Sequence, residues 1–194
     1  MSVPVGGSFL DFVSGSARET VAIEPSRTFR DALKTRGYRV FPYVQDALAE
    51  HRGKVDVATC FSVLEHIEDP VIFLREIREL LADDGVLHLS TPNAGDALLE
   101  AMPQEYPRFF YRSAHLWYFD QQSLRNLLEI CGFKDVSVRY FQRFGLANAL
   151  GWMIDRRPSG ESTKSFVTPA MDAAWRSELE RSGRADYMFV SARA

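Results

Sequence analysis

The chain has 194 residues, 46% of them apolar and 25% charged, with a formal net charge of −3. That length suits one domain with a sizeable core, and the lack of a basic excess excludes a general nucleic-acid binder. Two cysteines, Cys60 and Cys131, sit in apolar runs and read as buried thiols of a reducing compartment. No apolar run reaches the 18 residues of a membrane span, and no basic-plus-apolar leader pattern is present, so a cytoplasmic protein without membrane or nucleic-acid partners is expected.

In chain order, residues 1–13 read MSVPVGGSFLDFV. Phe9, Leu10, Phe12 and Val13 predict a helix behind Gly6 and Gly7. Glycines before a helix let the backbone approach a ligand, with the helix N-terminus facing it. No apolar strand precedes Gly6, because Met1 to Val5 is short and Pro4 interrupts it. Residues 20–25, TVAIEP, predict a strand with Glu24 at its carboxyl end. An acidic side chain there can hold both hydroxyls of a ribose, or simply be a solvated residue before a turn. Ser26 then caps a helix with Phe29 and Leu33 inward, ended by Gly37. Tyr38 to Val44 reads as a third strand, bent or placed at an edge by Pro42, and residues 46–53 as a short helical or irregular link.

Val55 to Phe61 is apolar and β-branched, which predicts a strand. A polar turn follows, carrying Ser62, Glu65, His66, Glu68 and Asp69, and then Pro70 at the first position of a helix. Val71, Leu74, Ile77 and Leu81 give that helix one apolar face. Asp83-Asp84-Gly85 is a turn, and Val86 to Ser90 a two-sided buried strand. His88 within it reads as a hydrogen-bonded core residue. Residues 94–119 form a long irregular segment dense in aromatic side chains, of the kind that serves as a lid or binding loop. Asp120 caps a helix with Leu124, Leu127, Leu128 and Cys131 inward and Gly132 at its end. Strands are expected at Val136 to Phe141 and Tyr187 to Ala192. Between them lie a Ser/Thr-rich stretch at 159–169 and a helix from Ala170 to Ser182.

The wording of these blocks resembles the class I S-adenosylmethionine-dependent methyltransferases. The segment VDVATCFSVLEHIEDP is similar to that family's fourth-strand region. AIEPS is similar to the end of its second strand, GVLHLSTPN to its fifth, HLWYFD to its substrate segment, and SLRNLLEICGF to a later helix. RFGLANALGWMIDRRPSG resembles, less closely, a segment of methyltransferases acting on surface glycans and secondary metabolites, through Asn148, Trp152, Pro158 and Gly160.

The resemblance implies an α/β fold: a Rossmann-like, mostly parallel sheet with an antiparallel last strand. The first strand is missing from it, and a small helical cap lies between the last two strands. One domain, 1–194, would divide into a cofactor half (1–93), a substrate lid (94–119) and a cap (142–185). S-adenosyl-L-methionine is the implied cofactor, met by Gly6, Gly7, Glu24, Pro25, Tyr43, Val44, Phe61 and Ser62. His115 is the implied general base, with His66 as second choice. Asn93, Trp117, Tyr118, Asn148 and Trp152 are implied substrate contacts. The substrate would be a small molecule, such as a hydroxyl of a glycan precursor or natural product, and the protein a possible homodimer. No metal site is expected, since no ligand spacing is visible. The alternative, prompted by the incomplete glycine motif, is a truncated or non-catalytic module that binds a partner.

Overall fold

The computed structural model describes residues 8–157 and 166–194. Gly6, Gly7, Pro158 and Gly160 lie outside the described residues, as does most of the Ser/Thr-rich stretch. Six strands are described: β1 (Val21–Ile23), β2 (Arg39–Phe41), β3 (Val55–Phe61), β4 (Leu81–Pro92), β5 (Lys134–Phe141) and β6 (Tyr187–Arg193). β1 and β2 form a parallel pair. The other four form a sheet in the order β3-β4-β6-β5, with β3 parallel to β4 and β6 antiparallel to both its neighbours. Among the described residues, no ladder joins the two sheets. The hydrogen-bonded sheet is thus interrupted between β1 and β3, and β3 carries Val57 at 55% exposure.

The helices are α1 (Ser8–Ser14), α2 (Arg27–Thr35), α3 (Val44–His51), α4 (Pro70–Leu80), α5 (Ala97–Ala101), α6 (Tyr106–Phe110), α7 (Gln121–Ile130), α8 (Leu146–Asp155) and α9 (Pro169–Ser182). α4 starts where its sequence dictates. Pro70 fills the first turn, and Asp69 Oδ1 accepts from Val71 N at 3.0 Å and Ile72 N at 2.9 Å. Its Leu74, Ile77 and Leu80 pack with Leu87 and Leu89 of β4, Leu124 and Leu128 of α7, and Met188 and Val190 of β6. Gly85 tightens the start of β4: a Cβ there would stand 2.9 Å from the carbonyl oxygens of both Ala82 and Val55.

Three sequence expectations are corrected. Leu81, expected on the face of α4, and the Asp83-Asp84-Gly85 turn both fall inside β4. The strand expected over Tyr38–Val44 is only three residues long. Pro42 ends it, and Tyr43 becomes the N-cap of α3, its N–H donating to Asp46 Oδ2 at 3.1 Å. The segment 94–119 is not irregular throughout, because Asp96 caps α5 and Pro107 sits in the first turn of α6.

Asp120 caps α7 as its sequence predicts, accepting from Ser123 N at 2.7 Å. Those bonds from Ser123 hold its carboxyl below the ordinary 3.8. A depressed folded-state value means stabilisation that is present above the unfolded-state value and lost as pH falls through the folded one. Asp120→Ala is therefore expected to lower stability by about 1 kcal/mol at neutral pH. In urea titrations the gap from wild type should shrink as the pH drops below 3.8. A gap unchanged at low pH would mean that the carboxylate charge is not what caps the helix.

Candidate active site

The site is built where the turn after β3 meets the segment 111–119. β3 ends in Phe61, and Ser62 follows with φ of 54°, which turns the chain out of the sheet. Ser62 N still donates to Ser90 O at 2.9 Å, and the Ser62 hydroxyl is hydrogen-bonded to Tyr187. A 3-10 turn, Leu64–His66, then drives Leu64 into the core at 0% exposure and buries Glu65 beside it at 2%.

Four hydrogen bonds stitch the second segment onto this turn. Glu65 O accepts from Leu116 N at 2.8 Å and from Trp117 N at 3.2 Å. Trp117 Nε1 donates to Ile67 O at 2.9 Å, and His66 Nδ1 lies 2.7 Å from Ala114 O. The result sets the His66 and His115 rings edge to face, with centroids 4.7 Å apart. Burial raises the Glu65 carboxyl above its ordinary value. His115 is lowered, first by desolvation and then by the charges of His66 and Arg112. A lowered value keeps its imidazole neutral at neutral pH, with a lone pair to accept a proton.

From His115 an aromatic series runs to the cap. His115 lies 5.6 Å from Tyr118, Tyr118 5.1 Å from Phe110, Phe110 5.9 Å from Tyr106, and Tyr106 5.2 Å from Trp152. Trp152 and Asn148 line a cavity of about 130 Å³ together with Phe109, Phe144, Asp96 and Asp186. The structure brings His66, His115, Trp117 and Tyr118 together in one locality, and Asn148 and Trp152 together at the cavity.

The remaining expected residues are distributed along strand ends. Glu24 follows β1, with Oε1 accepting from Ser26 N at 2.7 Å, and Pro25 beside it is exposed. Tyr43, just after β2, is 60% exposed. Val44 differs: its side chain is 4% exposed and belongs to the core, so only its backbone is placed to meet a ligand. Asn93 is corrected from substrate contact to internal tie. It is 1% exposed, its Nδ2 donates to Gly183 O and Ala185 O, and its Oδ1 accepts from Gly95 N.

Sequence reasoning missed Asp96 and Asp186 as parts of the cavity. Asp96 carries a visible signal, an acidic residue one position before a helix. Asp186 carries none, because its partner Arg143 is distant in sequence.

An α/β sheet with acidic and aromatic side chains after its parallel strands, and paired imidazoles beyond one of them, is a Rossmann-like layout. A family profile described as a methyltransferase domain matches residues 5–138. The chain belongs to that methyltransferase family. It is 34% identical over 105 residues to a ubiquinone biosynthesis O-methyltransferase of Actinobacillus pleuropneumoniae, which covers 48% of this chain and 45% of that protein. The chain therefore spans about half the length of that relative. Among solved structures, a SAM-dependent methyltransferase from Archaeoglobus fulgidus aligns with a TM-score of 0.63 at 14% identity, covering 97% of this chain and 81% of that one. A possible histamine N-methyltransferase from Thermotoga maritima aligns at 0.59 and 16% identity, covering 100% and 83%. At such identities the likeness is one of fold.

Proposed function

We propose that this chain binds S-adenosylmethionine and transfers its methyl group to a hydroxyl of a small, flat, largely apolar molecule. The observation that carries the reading is an imidazole, His115, kept neutral and without a hydrogen-bond partner at Nδ1, beside the carboxyl end of a parallel strand. The residues fit the cofactor. Ile23, Tyr43 and Phe61, at the ends of β1, β2 and β3, stay 37%, 60% and 37% exposed. Apolar side chains left open at three successive strand ends suit an adenosine face, and Glu24 beside them suits its ribose hydroxyls.

When bound, the cofactor supplies a methyl group made electrophilic by its sulfonium. The chain's own part is positioning and proton removal. Glu24 accepts from the ribose hydroxyls, Tyr43 stacks on the adenine, and Phe61 and Ser62 contact the amino-acid part. His115 takes the proton of the acceptor hydroxyl, and His66 orients its ring edge to face. Oxygen as acceptor accords with the Actinobacillus relative's being a ubiquinone biosynthesis O-methyltransferase.

The cavity favours a ring over a sugar. Asp96 is engaged by Leu98 N and Tyr106 OH, Asp186 by Arg143, and Gln142 by Asp186 N and Phe144 O. A ligand there meets mainly the faces of Phe109, Phe144 and Trp152. The volume is on the order of the ~150 Å³ that accommodates a benzene ring. A sugar would lose hydrogen bonds to water without gaining others. The glycan acceptor expected from the cap wording is accordingly set behind an aromatic or quinol-like hydroxyl.

Calorimetric titration of S-adenosylmethionine into the purified chain tests the cofactor half. Binding is expected, weakened roughly 10- to 100-fold in Glu24→Ala through loss of charge-assisted hydrogen bonds. Absence of heat from a chain folded by circular dichroism would overturn the reading in favour of a non-catalytic module.

A further inference from the structure

We infer that Glu65, His66 and His115 together form a three-ligand site for one divalent transition-metal ion, with zinc the metal best matched to the donors. One ligating atom from each residue lies within 4.8 Å of the others. Three features beyond proximity point to a cation.

Glu65 is 2% exposed, and its Oε2 has no hydrogen-bond partner. A buried carboxylate oxygen without a partner costs folding energy unless a cation or donor meets it. His66 Nδ1 stands 2.7 Å from the carbonyl oxygen of Ala114, which can only accept. Nδ1 therefore carries the hydrogen, and the lone pair sits on Nε2. Metal-bound histidines show this outer arrangement almost without exception, because it fixes the tautomer and the ring. His115 Nδ1 is buried and also unpartnered. Two of the three residues thus carry a buried atom, Glu65 Oε2 and His115 Nδ1, without a hydrogen-bond partner.

The scaffold is already closed around the site. Leu116 N and Trp117 N donate to Glu65 O, so the backbone of one ligand anchors the loop segment that bears another. Ligand atoms about 2.0–2.2 Å from a zinc ion stand roughly 3.3–3.5 Å apart. Closing from 4.8 Å asks for about an ångström of side-chain movement. Two imidazoles and a carboxylate suit zinc and its neighbours in the transition series. Magnesium and calcium, which prefer shells of oxygen, are poorly served. Three protein ligands leave a fourth position open, as in zinc sites that do chemistry. The His115 lone pair can serve a proton or an ion, and with an ion bound the ion would be what meets an acceptor oxygen.

The test needs neither cofactor nor substrate, so its failure is separable from that of the methyl-transfer reading. The full chain, stripped with a chelator, is titrated with Zn²⁺ by calorimetry, and with Co²⁺ by visible absorption. One ion per chain is expected, with a rise in the midpoint of thermal unfolding that follows mass action. His115→Ala should weaken binding by more than the roughly 10- to 100-fold that loss of an outer-shell partner causes, and should abolish the thermal shift. Glu65→Gln should do the same if it folds. The half-buried His115 provides the variant that leaves the core untouched. His88→Ala, whose imidazole is paired with Ser191 away from the site, should bind like wild type. No binding by the folded wild-type chain, or binding that survives His115→Ala undiminished, would overturn the proposal.

Discussion

Asn93→Ala should lower the stability of the chain by about 4 kcal/mol, read as a fall in the urea midpoint with an unchanged slope. Asn93 lies one residue beyond β4, at 1% exposure. Its side-chain amide donates to Gly183 O at 3.1 Å and to Ala185 O at 2.7 Å, while its Oδ1 accepts from Gly95 N at 2.9 Å. One side chain therefore holds the end of α9, the approach to β6 and the turn into α5. Alanine removes all three bonds, leaving Ala185 O, deep in the protein, without its donor. Each such loss costs on the order of 1–3 kcal/mol. Asn93→Asp should be at least as damaging, because a carboxylate would face two carbonyl oxygens that need donors. A substrate contact behaves differently: its removal would move the midpoint by no more than about 0.5 kcal/mol. Both substitutions leaving the midpoint in place would reinstate Asn93 as a binding residue.

What could be read in the sequence was what neighbours along the chain decide. Asp69 and Pro70 start α4 and Asp120 starts α7, because caps act within a turn or two. Pro42 misled for the same reason. Its effect on β2 was visible, but the choice of Tyr43 as a helix cap depends on Asp46 answering from inside α3. At the site, His66 and His115 could each be singled out from their motifs. Their contact could not, since it depends on backbone bonds between Glu65 and residues 116 and 117. Glu65 itself was hidden within a run of charges, where burial at 2% has no local signature.

Asp186→Ala is expected to cost a further large sum, about 3–4 kcal/mol, and to loosen the cap. Asp186 is 4% exposed and stands immediately before β6. Oδ1 accepts from Arg143 N at 2.8 Å and Oδ2 from Arg143 Nε at 2.7 Å, fixing the chain as it leaves β5. The same guanidinium lies 3.9 Å over the Tyr187 ring. Removing one partner of a buried pair typically costs about 3–5 kcal/mol. The lower part of that range applies here, because the Arg143 side chain is 43% exposed and can be rehydrated. Asp186→Asn keeps an acceptor for Arg143 N and should lose about half as much. The two large effects are linked, since Asn93 N donates to Asp186 O at 3.1 Å. A double variant should therefore fall short of the sum of the single ones. Hydrogen exchange separates global from local loss: the Arg143 and Leu146 amides should lose protection in Asp186→Ala beyond what the fall in global stability accounts for. Arg176 offers the competing clamp, donating to Gln142 O at 2.6 Å and Arg143 O at 2.8 Å. If Arg176, rather than Asp186, holds the turn, Asp186→Ala will leave those amides protected and Arg176→Ala will expose them.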